Sequence, residues 1–406
     1  MEINRREFIT GAAATGAAAL SAAKDVDVKS DAHSFSDPAF AGMEGVYTAL
    51  FTPFKPDLSL NEEMVERLVE FGIANGVRGF YLTGGTGEGL LMSVEERARV
   101  YARAAKAAHG RAKLIAHVGC VNTDDAVALA RLAAKAGCDW VSSVPPVYYG
   151  QKPDDVYNHY KLISSATDLP FLIYAANGGN VDPARDVRYF DLPNVKGMKY
   201  TGTTFYDVQR LKRRLGKEAI FFSGSDQHMV AAMAFADVFS GSIGTVQNVV
   251  PAAFVKIFRL MRANDVLAAA KVQEEVNRVV EFVCHTFPKQ SLRKAAMRYI
   301  GLDCGQFRHP YEAYTEAEYA DFAAKADKIG LLAAAKVQEE VNRVVEFVCH
   351  TFPKQSLRKA AMRYIGLDCG QFRHPYEAYT EAEYADFAAK ADKIGLLAAA
   401  RAPART

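Results

Sequence analysis

The residues best suited to chemistry in this sequence stand at or near the ends of short apolar runs. Gly197-Met198-Lys199-Tyr200-Thr201 places a lysine inside a predominantly apolar stretch. A lysine in that setting either snorkels to a rim or pairs with a carboxylate. In a dry pocket the charged form is disfavoured, and the neutral amine is a nucleophile toward a carbonyl carbon. The residues alone leave these readings open. Thr83-Gly84-Gly85-Thr86-Gly87-Glu88-Gly89 is glycine-rich; its backbone can approach a ligand closely and offer N–H groups to an anion. A tight strand-to-helix turn would use the same glycines. A further apolar run closes on Tyr174, whose phenol can donate or accept a proton. The histidines show no HxxxH-type spacing and the cysteines no CxxC, so no metal and no cofactor is expected.

Such groups act together only if the chain brings the run ends to one place. Runs rich in β-branched and aromatic residues recur at 46–54, 79–84, 113–120, 140–145, 170–175, 195–201, 220–225 and 238–245. Most are followed by a polar or Gly/Pro break and a stretch of 3.6-residue periodicity. Asn61, Ser93 with Glu96, and Asn122 stand as caps at the first three helix starts. Eight strands alternating with helices predict parallel βα units closed as a (β/α)8 TIM barrel, whose chemistry sits at the C-terminal ends of the strands. A doubly wound open sheet is the alternative, but no GxGxxG follows the first strand.

The 406 residues are half apolar, with 49 basic against 47 acidic side chains. That balance suits a globular chain and supplies no basic patch for nucleic acid. Asn4-Arg5-Arg6-Glu7-Phe8-Ile9 precedes a weakly apolar Ala/Gly-rich run, the pattern of a twin-arginine export signal too weakly apolar to span a bilayer. A periplasmic location is expected, or a cytoplasmic one if the signal does not function. Residues 267–335 recur, residue for residue, as 332–400, a shift of 65 positions. Two perfect copies indicate a tandem duplication rather than a solenoid, whose repeats diverge. Three helical segments at 265–286, 289–301 and 315–332 are expected in the first copy, with 271–332 docked on the barrel. In the second copy Val337, Val341, Val344 and Val348 fall on one helix face. Cys284 and Cys304 return as Cys349 and Cys369, and with Cys120 and Cys138 are expected to be buried thiols. The expected organisation is leader and linker 1–41, barrel 42–264, helical extension 265–335, its duplicate 336–400 and a tail 401–406.

Over about 45–332 these motifs resemble the dihydrodipicolinate synthase and N-acetylneuraminate lyase family of pyruvate-dependent class I aldolases. Within it, the segment Lys113-Leu114-Ile115-Ala116-His117-Val118-Gly119-Cys120-Val121 and Tyr148-Tyr149 are similar to the N-acetylneuraminate lyase branch. The resemblance implies that Lys199 forms the Schiff base, that Tyr174 relays the proton, and that Gly85 and Thr86 grip the pyruvate carboxylate. It implies further that Gly224, Asp226 and Thr245 hold the polyol tail and that Thr201 is a substrate-binding residue. Tyr149 or Tyr148 would complete a neighbour's pocket in a homodimer or homotetramer. Asp226 would accept two sugar hydroxyls.

Several positions depart from the family pattern. Gly85 stands where Ser or Thr is usual, Tyr174-Ala175-Ala176-Asn177 lacks the usual Tyr-Asn-x-Pro, and Gln227 replaces a Glu of the lyase branch. Asn177-Gly178-Gly179-Asn180 carries no arginine to hold a second carboxylate, against dihydrodipicolinate synthesis. The resemblance therefore implies a Schiff-base aldolase that cleaves a 2-keto-3-deoxy sugar acid, N-acetylneuraminate first, to pyruvate and an aldehyde such as N-acetylmannosamine. The alternatives are 2-keto-3-deoxygluconate aldolase, a dihydrodipicolinate synthase-like aldolase or dehydratase, and an exported sugar-acid-binding pseudoenzyme without turnover.

Overall fold

The short apolar runs form β1 (Gly45–Ala49), β2 (Gly79–Leu82), β3 (Lys113–His117), β4 (Trp140–Ser143), β5 (Phe171–Ala175), β6 (Val195–Tyr200), β7 (Ile220–Ser223) and β8 (Gly241–Gly244). This computed structural model describes residues 37–148, 151–176, 181–216, 218–235, 238–331, 334–335 and 380–393. All eight strands pair in parallel in sequence order, and β8 closes on β1, giving the barrel that the alternation predicts. Seven of the eight stop short of the apolar runs that signalled them. Ladder pairing ends where the strands fan into the mouth, so the run ends become the loops that carry polar groups.

Helices α1 (Glu62–Ala74), α2 (Val94–Ala108), α3 (Thr123–Ala136), α4 (Pro153–Ser164), α5 (Pro183–Asp186), α6 (Phe205–Leu215), α7 (Met229–Ala234) and α8 (Pro251–Arg262) surround the barrel. Asn61 accepts from Met64 N at 3.2 Å, Asn122 from Asp125 N at 2.7 Å, and Ser93 and Glu96 form a reciprocal box on α2. Each cap satisfies donors the helix cannot, worth about 1 kcal/mol.

Tyr47, Tyr81, Ile115, Trp140, Leu172, Ile220, Phe222 and Ile243 point inward and fill the barrel. Phe40 joins them, its ring 6.1 Å from Trp140, and Asp37 pairs with Lys196 at 2.6 Å. Residues 37–41, read from sequence as linker, thus pack with the barrel. The Lys196 ammonium holds the Asp37 carboxyl below its ordinary range.

Lys24–Ala335 form one compact unit, and the described residues beyond it, 380–393, belong to a second. In the first unit, α9 (Val266–His285), α10 (Leu292–Tyr299) and α11 (Glu316–Lys328) follow the last barrel helix. Two of their side chains reach the ends of barrel strands. Gln273 donates to Asp226 O at 3.0 Å and accepts from Val230 N at 3.1 Å. Lys294 lies 2.7 Å from Glu88, both fully buried, and Arg308 N donates to the other Glu88 oxygen at 2.7 Å. In the second unit, α12 (Glu381–Lys393) repeats the sequence of α11, and Thr380 repeats the Thr315 cap. The four-valine face, Tyr149 and the export motif lie outside the described residues. Among the described residues no helix is long and apolar enough to cross a membrane.

Candidate active site

Parallel pairing of β5 with β6 sets Tyr174 directly beside Lys199, on the inward face at the C-terminal mouth. Lys199 is 5% exposed, and its ammonium sits 4.2 Å from the centroids of both the Tyr81 and Tyr174 rings. Among the described residues no carboxylate comes within ion-pair distance of it. Neither snorkelling nor a carboxylate partner accounts for this lysine. Two aromatic faces, whose negative quadrupoles attract a cation, hold the amine instead.

Glycine makes the room. A Cβ on Gly224 would stand 3.2 Å from Lys199 Cε and 2.0 Å from Thr201 Oγ1. Thr201 in turn donates to the Tyr174 hydroxyl at 3.3 Å, so Lys199, Tyr174, Thr201 and Gly224 form one cluster.

Thr86, Thr245 and Asp226 form a second. The hydroxyls of Thr86 and Thr245 lie 2.6 Å apart. One donates to the other, leaving one O–H hydrogen for a ligand. Asp226 Oδ2 accepts from Thr245 N and Val246 N, each at 2.9 Å, while Oδ1 is buried without a hydrogen bond of ordinary geometry. The sequence reading gave this carboxylate two hydroxyls to accept. Backbone amides occupy one oxygen and one is left. Gly85 stands open: a Cβ there would meet nothing within 4 Å.

Burial pushes the Asp226 carboxyl up to about 6, against the two amides, Gln247 and the Lys199 charge, which pull it down. The folded state therefore binds this proton more tightly than the unfolded chain. The resulting stability is complete below about pH 4 and disappears as pH rises through about 6, roughly 3 kcal/mol for about two units. Asp226→Asn is expected to flatten urea-measured stability between pH 4 and 7 by that amount relative to the parent. Parallel profiles would contradict the assignment.

Sequence reasoning missed two inward-facing groups. Tyr81, whose hydroxyl lies 2.9 Å from Ser142 Oγ, stacks edge-on against Tyr174 with centroids 6.0 Å apart. His117 lies 6.3 Å from the Tyr174 ring. Its Nδ1 donates to Thr83 O at 3.2 Å, and its Nε2 is buried without a hydrogen-bond partner among the described residues. Burial, with the Arg97 and Lys199 charges, holds it neutral, well below the usual imidazole range. Alternation in β2 and β3 puts each on the inward face once that face is known. Among the described residues no group of three His, Cys, Asp or Glu side chains is placed to hold a metal ion.

The family model described as the dihydrodipicolinate synthetase family matches residues 42–329. The chain belongs to that family. It is 33% identical over 281 residues to the N-acetylneuraminate lyase of Rhizobium meliloti (strain 1021), covering 68% of this chain and 92% of that protein. The N-acetylneuraminate lyase structure from Mycoplasma synoviae matches with a TM-score of 0.66 and 32% identity, covering 71% of this chain and 99% of that one. A structure described as a catalytic lysine mutant of the Ruminococcus gnavus sialic acid aldolase matches with a TM-score of 0.68 and 26% identity, over 73% and 97% of the two chains. The protein is accordingly an enzyme, a carbon–carbon lyase of the Schiff-base aldolase family.

Proposed function

We propose that Lys199 is the imine-forming residue and that the substrate is a 2-keto-3-deoxy sugar acid, with N-acetylneuraminate the first candidate. The observation that carries this is the buried Lys199 amine, free of any carboxylate among the described residues, beside the register-paired Tyr174. The amine attacks the C2 keto carbon, and loss of water leaves a protonated imine, an electron sink. Tyr174 relays the C4 hydroxyl proton: its oxygen accepts that proton as the C3–C4 bond breaks, while its own phenolic proton passes to the substrate carboxylate, from which C3 is later protonated. The bonding pair flows into the imine to give an enamine, and the aldehyde leaves. Proton return to C3 and hydrolysis release pyruvate and the free amine.

Thr86, whose hydroxyl and that of Thr245 leave one O–H hydrogen between them, and the amides around Gly85 suit the substrate carboxylate. The N-acetylneuraminate assignment draws on the Rhizobium and Mycoplasma relatives. A second reading, a shorter acid such as 2-keto-3-deoxygluconate, is favoured by the engagement of Asp226 Oδ2 with backbone amides. Pyruvate release from a panel of keto sugar acids separates them. N-acetylneuraminate is expected to give the largest kcat/KM, with N-acetylmannosamine as co-product. Turnover confined to shorter acids would move the substrate to the second reading.

A further inference from the structure

Arg97 of α2 is 1% exposed, and among the described residues it has no carboxylate partner. A buried guanidinium without a counter-charge is expensive unless its donors are spent well. Each of its three nitrogens donates at the ends of β2 and β3: Nη1 to Gly119 O at 2.9 Å and Cys120 Sγ at 3.2 Å, Nη2 to His117 O, and Nε to Thr83 Oγ1 at 3.4 Å.

Thr83 is where this spending tells. Its φ is +52°, in the left-handed region that a β-branched residue enters only under constraint. Both ends of the residue are pinned. Its hydroxyl lies 3.1 Å from the Tyr101 hydroxyl and donates to His117 O at 3.1 Å. Tyr101 donates to the same carbonyl at 2.7 Å, and His117 Nδ1 reaches Thr83 O at 3.2 Å. The glycine loop folds back onto this residue. A Cβ on Gly89 would stand 1.9 Å from Thr83 O, and one on Gly87 would stand 3.1 Å from Thr83 Cα. The direction in which Thr83 launches the chain thus fixes where the amides after Gly84 and the Thr86 hydroxyl lie.

We infer that Arg97 and Tyr101 are positioning residues: from α2 they hold Thr83 in the left-handed conformation that aims the glycine loop at the substrate carboxylate. This rests on the reading of that loop as the carboxylate grip. Glycine enters the left-handed region freely, so Thr83→Gly should make the clamp dispensable, which a purely packing role for Arg97 would not.

The test is a set of double-mutant cycles on the full chain, read as the pyruvate concentration that half-saturates borohydride trapping of the imine. Arg97→Met and Tyr101→Phe are each expected to raise that concentration on the order of tenfold. In the Thr83→Gly background each is expected to raise it less than about threefold. Tyr101→Phe keeps the ring, so the cycle stands even if the arginine variant folds poorly. Undiminished effects in the glycine background, or none in either, would overturn the inference. Thr86→Ala separates the two ideas. If it weakens pyruvate saturation while the α2 variants do not, the clamp alone fails. If it leaves saturation unchanged, the carboxylate-grip reading fails and the clamp with it.

Discussion

Lys199→Ala is expected to reduce turnover of any keto sugar acid by at least about 10⁴-fold, because the step that makes C3–C4 cleavage accessible is formation of the imine. Without it, the electron pair of the breaking bond has no sink. Among the described residues no other buried amine is free to substitute. Lys294 is also fully buried, but its ammonium is committed to Glu88 at 2.7 Å and to Gln306 O at 3.0 Å. Lys199→Met, which keeps the aliphatic stem between Tyr81 and Tyr174, is expected to be as inactive and closer to the parent in thermal unfolding. Undiminished turnover in either variant would remove the mechanism.

The second large effect lies in the helical extension. Lys294→Met leaves the Glu88 carboxylate buried with only the Arg308 amide for company, the situation that costs about 3–5 kcal/mol when one partner of a buried pair is removed. Burial pushes the Lys294 ammonium down in pKa, and Glu88 draws it back up, so the lysine depends on the pair as the glutamate does. Glu88 itself ends the glycine loop at φ +54°, so loss of the pair is expected to weaken pyruvate saturation along with stability. The duplication gives an internal control, since Lys359 is the counterpart of Lys294 in the second copy. Urea unfolding of Lys294→Met should lose that stability, while Lys359→Met should match the parent. The reverse pattern would show that the second copy, not the first, seats against Glu88.

The fold was legible in the sequence because its signals are local. Apolar runs of six to nine residues, the Asn61 and Asn122 caps and the Ser93 box each depend on neighbours within a few positions, and the structure contains all of them. The parallel order followed from the alternation of strands and helices. The Lys199–Tyr174 pairing became visible once both were placed on adjacent strands.

The groups that were not legible depend on contacts far apart in the chain. Lys294 meets Glu88, Gln273 meets Asp226, and Phe40 meets Trp140, with no periodicity to announce them. Tyr81 and His117 read as strand residues, and only barrel closure shows that their side of the strand faces the lysine. Arg97 reads as an exposed helix charge between Glu96 and Ala98 until the β2 and β3 ends are packed over it. Asp226 lies just past β7, and its partners are backbone amides whose direction no residue type encodes.

The most direct test of the central claim is borohydride reduction in the presence of pyruvate, followed by peptide mass mapping. The Schiff-base reading predicts one pyruvyl adduct, on Lys199, lost in Lys199→Ala and Lys199→Met. Folded protein that takes up no adduct, or carries it on another lysine, would contradict it.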